Sequence, residues 1–254
     1  MKALEINNLS KTYKNSIFKK KFRVLKNVCF NIDTGSIVGL VGPNGAGKST
    51  AVKIILNLII PTSGNIIISG EDHHNKNVRK KIGYLPETDK YPMYLTGNQF
   101  LKICSNFYKK KINKKKIKDL EIKLGLSQKL DLTINKYSKG MRKKLGFIQA
   151  LQFEPELLIL DEPIEGLDTE GKKVIVDILK DFKSNGNSVL INSHYLSELE
   201  KIDCNYPGLH CKKGQVFFES GKMKLAEEEF NTEISLTKTH FTILSEQYLK
   251  KINQ

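Results

Sequence analysis

Residues Gly42, Pro43, Asn44, Gly45, Ala46, Gly47, Lys48, Ser49 and Thr50 satisfy the spacing Gly-x-x-x-x-Gly-Lys-Ser/Thr. Glycines at these positions let a backbone curl until several N–H groups face one anion. A lysine then reaches the β- and γ-phosphates of a nucleotide, and a hydroxyl can ligate Mg²⁺. The spacing assigns those roles to Lys48 and Ser49. A second set of chemical groups closes the run LLILDEP, Leu157 to Pro163. Carboxylates at the C-terminal end of a buried strand sit near the ligand crevice of an α/β sheet. There Asp161 would hold Mg²⁺ directly or through water. Glu162 would take the proton of an attacking water or orient that water. Spacing alone does not separate base from metal ligand.

The elements around these residues agree with such a site. The loop lies between IVGLV, Ile37 to Val41, which suits a buried strand, and TAVKIILNL, Thr50 to Leu58, which suits a helix packed on a sheet. Leu4–Ile6 and Val28–Ile32 read as short strands, joined by a basic connection, Lys14 to Arg23. PTSG, 61–64, is a turn before the strand NIIIS, and a further strand, Ile82–Leu85, ends at Pro86. From Gln99 to about Leu132 the spacing becomes helical: Phe100, Ile103, Phe107, then Ile117, Leu120, Leu124. Ser138–Leu151 and Lys172–Phe182 read as helices, and Leu157–Leu160 and Ser188–Asn192 as strands. Helices alternating with apolar strands predict an α/β core with at least partly parallel pairing.

Composition narrows the class. The chain has 254 residues, 39% apolar, enough for one large domain or a domain with a smaller lobe. No uncharged apolar stretch reaches the roughly 18 residues of a membrane span, and MKALEINNLS lacks the apolar run of a signal peptide. Cys29, Cys104, Cys204 and Cys211 are scattered. The loose pair in CNYPGLHC, with His210 between, is a poor match to metal-ligand spacing, so reduced thiols are expected. Net charge is +15, much of it in runs such as Lys19–Lys21, Lys109–Lys111, Lys114–Lys116 and Arg142–Lys144. Such charge favours nucleic acid or anionic lipid. The runs carry no nucleic-acid motif and are read as solvated faces.

Residues 2–222 resemble the nucleotide-binding subunit of an ABC (ATP-binding cassette) transporter. The resemblance implies a P-loop NTPase α/β core with a mixed β-sheet. It also implies a smaller helical subdomain at about 88–152 and a small C-terminal extension at 223–254. Gly42–Thr50 matches the family's Walker A loop, and Asp161 and Glu162 its Walker B acids. Tyr13, in SKTY, matches the aromatic that stacks on adenine. Ser138–Met141 occupies the signature position, and EGLD, Glu165–Asp168, resembles the D-loop. His194, in NSHYLSE, matches the switch histidine that contacts the γ-phosphate. Asp168 followed by Thr169 also suits a plain helix cap; the motif adds communication across a dimer.

Three departures stand out. The signature reads SKGM, with Lys139 for the first family glycine and Met141 for glutamine, while Ser138 and Gly140 remain. This form resembles the ABC-2 type exporter ATPases. Glu87, in LPE, replaces the glutamine of the Q-loop; it keeps an oxygen for water or Mg²⁺ and loses an amide donor. Tyr206–His210, YPGLH, places Pro207 and Gly208 where an apolar strand is usual, so that strand should be shortened or at an edge.

By resemblance, two copies, or this chain and a paralogous ATPase, would face each other head to tail. ATP would lie between the phosphate loop of one and Ser138 and Gly140 of the other. The implied cofactors are ATP and Mg²⁺, the metal held by Ser49, Asp161 and Glu87. The implied activity is ATP hydrolysis powering a separate membrane permease, most simply in export, from the cytoplasmic face of the cell membrane. The segment after Glu87 and the insertion 99–132 are the expected docking surface. The alternative is a soluble ABC-type ATPase acting on ribosomes or nucleic acid. Such proteins commonly carry two cassettes or long inserts, so nucleic acid is not the expected partner.

Overall fold

The computed structural model describes residues 1–14, 21–41, 45–88 and 90–193. These lie in one compact unit, Met1–His194; a second unit is Tyr195–Gln254. Gly42, Pro43, Asn44, His194, YPGLH with its flanking cysteines, and the expected extension at 223–254 lie outside the described residues.

Two four-stranded sheets form the described unit. The antiparallel sheet contains β1 (Lys2–Lys14), β2 (Lys21–Asp33), β4 (Ser63–Ile68) and β5 (Glu71–Asp72), in the order β2-β1-β4-β5. The parallel sheet contains β3 (Ile37–Val41), β6 (Ile82–Leu85), β7 (Leu157–Asp161) and β8 (Ser188–Ser193), in the order β3-β8-β7-β6. The expected mixture of strand directions is thus divided between two sheets. The central strands β7 and β8 are buried at every residue. That is the environment of strands covered on both faces, and it explains their continuous apolar runs.

Helix α1 (Lys48–Ile55) contributes Val52, Ile54 and Ile55 to a core shared with Leu4, Ile6, Ile32, Ile66 and Ile68 of the antiparallel sheet. Leu157, Ile159 and Leu190 of the parallel sheet join the same cluster. Burying each such side chain contributes about 1.5–3 kcal/mol before conformational entropy is set against it. The helix that follows the phosphate loop is therefore fixed by both sheets.

The helical region consists of α2 (Gly97–Tyr108), α3 (Lys114–Lys123) and α4 (Lys139–Leu151). Thr96 and Gln99 form a reciprocal capping box at the start of α2, and Asn113 caps α3. Ile117, Leu120 and Leu124 are buried as their spacing suggests. The stripe Phe100, Ile103, Phe107 behaves differently. The buried face of α2 is Leu101 and Ser105, while Ile103 and Phe107 are exposed, Phe107 at 82%. Helix α5 (Thr169–Ser184) joins β7 to β8.

Two further differences from the sequence expectations have plain causes. Strands β1 and β2 run for 13 residues each, well beyond Leu4–Ile6 and Val28–Ile32. Their pairing shifts register between Ile6 and Leu9 and again before Thr12, and Asn8 and Asn27 adopt positive φ. Bulges interrupt the alternation that marks a strand in sequence. The run Arg142–Lys144 is not a solvated face throughout: Lys143 is 1% exposed, and its Nζ donates to the Glu87 carbonyl at 3.4 Å.

Candidate functional site

Parallel register gathers the chemical groups at one sheet edge. Val41 pairs with Ser193, Asn192 with Asp161, and Leu160 with Leu85. The C-terminal ends of all four parallel strands therefore lie side by side. From them emerge the phosphate loop, the Ser193 terminus, the Asp161–Glu162 pair and the Pro86–Glu87 turn. This is where ligands bind in parallel α/β sheets.

At the loop's end, Gly47 has φ 92°, and a Cβ there would lie 2.8 Å from Leu25 Cδ2 and 3.1 Å from the Val24 carbonyl. Both the dihedral and the close approach require glycine. Gly47 is also the N-cap of α1, with no side-chain cap, and its carbonyl accepts from Ala51 N–H at 2.9 Å. The first turn of α1, beginning Lys48-Ser49-Thr50, thus presents backbone donors and a helix N-terminus towards the loop. Ala46 and Ser49 are exposed there and Lys48 is half-buried.

Asp161 is buried, and both of its oxygens accept fixed hydrogen bonds. Asn192 Nδ2 donates to Oδ1 at 2.6 Å, and Tyr84 Oη donates to Oδ2 at 2.9 Å. Burial raises the Tyr84 phenol far above its usual pKa, with the Asp161 charge, their hydrogen bond and Glu87 adding to it, so the phenol remains a donor at neutral pH. Asn192 also aligns the next acid, because Glu162 N–H donates to the Asn192 carbonyl at 2.9 Å. Ser193 Oγ donates to Glu162 Oε2 at 3.2 Å. Glu162 is itself buried and has φ 47°, in the left-handed region. For a non-glycine residue that conformation costs about 1–2 kcal/mol, held here by the strands on which the turn is built.

Mg²⁺ fits this edge. Asp161 retains lone pairs and Ser49 a hydroxyl. Asn192 Oδ1 is buried beside Asp161 with no hydrogen-bond partner among the described residues. An orphaned acceptor there suits a water carried by a cation that keeps much of its hydration shell. Glu87 is exposed on the adjacent turn, its backbone anchored by Lys143.

Tyr13 lies on β1, paired with Phe22 of β2, the strand whose Val24 and Leu25 pack against Gly47. It lines a pocket of about 480 Å³ with Lys11, Thr12, Lys14, Lys21 and Thr62. Lys11 Nζ sits 5.1 Å from the Tyr13 ring centroid. A half-open aromatic face among lysines suits a flat ring bearing phosphates. A cleft of about 530 Å³ between α3 and the end of α5 contains none of the predicted site residues.

The remaining predicted residues form a second group. Ser138 is the N-cap of α4; its Oγ accepts from Met141 N–H at 3.1 Å, which leaves its O–H free to donate elsewhere. Lys139 Nζ contacts Glu165 Oε1 at 3.0 Å, and its stem passes over Gly166. Gly140 faces the Gly166 carbonyl at ordinary contact distance, 3.6 Å from where its Cβ would be. Asp168 caps α5 by accepting from Gly171 N–H at 2.8 Å. Signature and D-loop positions are therefore neighbours within one chain. Sequence reasoning named none of Tyr84, Asn192 or Ser193. The available signal was a polar residue ending or interrupting an otherwise apolar strand, as in IGYL and SVLINS.

Comparison with known proteins agrees with this geometry. The family described as ABC transporter matches residues 25–165. The chain is 36% identical to the lantibiotic transport ATP-binding protein SrtF of Streptococcus pyogenes, over 92% of this chain and 99% of that protein. It is also 36% identical to the uncharacterized ABC transporter ATP-binding protein all4389 of Nostoc sp., over 77% of this chain, but spans only 60% of that relative's length. A dimeric ATP-binding cassette in a post-hydrolysis state, bound to ADP and Pi, superposes with a TM-score of 0.68 at 25% identity, over 78% of this chain and 90% of that one. The phosphate-loop strand and helix, the buried Asp161–Glu162 pair and these matches lead to one assignment: the chain belongs to the ATP-binding family of ABC transporters.

Proposed function

We propose that this chain binds and hydrolyses ATP and powers a separate membrane permease, in the direction of export. The observation that carries the hydrolytic reading is the edge where β3, which leads into α1, and β7, which ends in the Asp161–Glu162 pair, flank β8 on either side, with both Asp161 oxygens held by donors. Lys48 and the N–H groups at the start of α1 bind the β- and γ-phosphates and stabilise charge on the equatorial oxygens as the γ-phosphoryl leaves. Bound Mg²⁺ would be held by Ser49 and Asp161, with Glu87 nearby, and would neutralise charge on the same phosphates. Glu162 orients the attacking water and accepts its proton, its carboxylate steadied by Ser193. Tyr13 stacks on the adenine. His194 follows Ser193 directly in the chain and would donate to the γ-phosphate.

Ser138 and Gly140 complete the site of a second copy or of a paralogous ATPase. The dimeric relative with ADP and Pi supports this arrangement, as does a signature whose contacts in its own chain are to the D-loop. Asp168 carries the state of one site towards the other. The permease reading is supported by the relative named for lantibiotic transport and by the outward stripe on α2. Phe107 and Ile103, with Tyr94 (79% exposed) and Met93 in the preceding segment, form apolar surface in the region expected to dock. No helix among the described residues is long and apolar enough to cross a membrane. A permease would supply that part and hold this chain at the cytoplasmic face. The SKGM and LPE forms favour export.

The deciding experiment replaces Glu162 with glutamine in the complex of the chain with its permease. ATP should still bind, while phosphate release falls roughly 10²- to 10⁴-fold. Unchanged release would remove Glu162 from the role given to it.

A further inference from the structure

The end of β5 and the turn after it carry Asp72, His73 and His74 in succession, on the far side of the antiparallel sheet order from β2. One ligand-capable atom from each lies within 4.8 Å of the others. His73 Nδ1 is 3.7 Å from Asp72 Oδ1, and His74 Nδ1 is 2.7 Å from the same oxygen. The imidazole centroids stand 4.0 Å apart, tilted by 54°. His73 is 1% exposed, yet neither of its ring nitrogens has a hydrogen-bond partner among the described residues. Buried polar groups nearly always have partners, and an unsatisfied one costs about 1–3 kcal/mol. The Asp72 and His74 side chains are 62% and 56% exposed, so the cluster opens to solvent.

We propose that Asp72, His73 and His74 bind a first-row divalent cation, Zn²⁺ above all, at the edge of the antiparallel sheet. Two imidazoles and a carboxylate are donors that favour zinc, copper or nickel over magnesium or calcium. Ligands held about 2.1 Å from a tetrahedral ion stand about 3.4 Å apart. The His73–Asp72 separation nearly meets that value, and the His74–Asp72 hydrogen bond has to open by less than an ångström. The turn is formed without the ion. His73 N–H donates to the Ile66 carbonyl at 3.1 Å, His74 N–H to Asp72 Oδ1 at 2.8 Å, and Asn75 N–H to the Asp72 carbonyl at 2.9 Å. A fourth position faces solvent and takes water. The bound ion clasps β5, a strand of only two residues, and stabilises the folded chain increasingly as its concentration rises above Kd.

The test uses the full chain without nucleotide, titrated with Co²⁺ and followed by its visible absorption, then with Zn²⁺ as competitor. One equivalent of Co²⁺ should give bands of low coordination number that Zn²⁺ removes. His74→Ala and Asp72→Asn, both at exposed positions, should each weaken binding by more than the roughly 10- to 100-fold lost with an outer-sphere partner. His73→Ala should abolish it, although that variant also alters a buried contact, so the exposed pair decides. A Cys204→Ser, Cys211→Ser double variant should bind as the parent does. The proposal is overturned if no saturable binding occurs, if His74→Ala and Asp72→Asn bind as the parent does, or if the cysteine variant loses the ion. None of these readouts involves ATP, so failure here and failure of the hydrolytic reading are separate results.

Discussion

The parallel-sheet edge and the signature–D-loop surface contain comparable chemistry but are built in opposite ways. At the sheet edge the acids are buried, and both Asp161 oxygens are engaged by donors from neighbouring strands. Around Ser138 the polar groups are exposed, and they are held by a short-range cap and a surface ion pair. A surface meant to meet a separate molecule has to remain open until it does so. A hydrolytic centre has to be rigid before its substrate arrives. The contrast is what the proposed arrangement, with half of two sites in each chain, would require.

The strongest challenge to this contrast is to loosen the rigid half. Tyr84→Phe and Asn192→Ala each remove one donor to the Asp161 carboxylate, and a hydrogen bond to a charged group contributes about 1.5–3 kcal/mol. Each variant should lower kcat/KM for ATP roughly 10- to 100-fold in steady-state assays of the permease complex. The double variant should lose less than the product of the two, because both donors act on one carboxylate. Full multiplicative loss, or no loss, would mean that the donors do not work through Asp161.

A smaller effect is expected where the open half meets the fold. Asp168→Ala removes the cap of α5 and should cost about 1 kcal/mol in chemical denaturation. If Asp168 also communicates across the dimer, ATP-dependent association measured by light scattering should weaken as well. Loss of stability alone would reduce its role to capping. The smallest effect belongs to Lys139→Ala. Exposed ion pairs contribute about 0–1 kcal/mol, so melting should hardly move. A large drop in stability would show that the open half carries as much of the fold's stability as the closed one.

How much of this could be read beforehand depended on whether each residue's neighbours are local. The strand and helix that bracket the phosphate-loop sequence, the Asp161–Glu162 pair at the end of β7 and α5's cap depend on contiguous residues, and these were legible in the sequence. Tyr84 and Asn192 act on Asp161 from 77 and 31 positions away, through a register that strand composition does not specify. Lys143 was hidden in a basic run for the same reason, since its contact with Glu87 is made by folding α4 against the turn after β6. The stripe on α2 was legible as apolar, but periodicity does not say whether an apolar face meets its own core or another protein. The second halves of β1 and the first of β2 are polar and bulged, so only the apolar parts of each registered as strands.

The left-handed backbone at Glu162 has a consequence for what the position can tolerate. Asparagine, aspartate and glycine accept that dihedral more readily than glutamate does. Any of these in place of Glu162 would relax the turn and, on the role proposed for Glu162, shorten or remove the carboxylate that takes the proton of water. Stability and the proposed chemistry therefore pull in opposite directions at this one position.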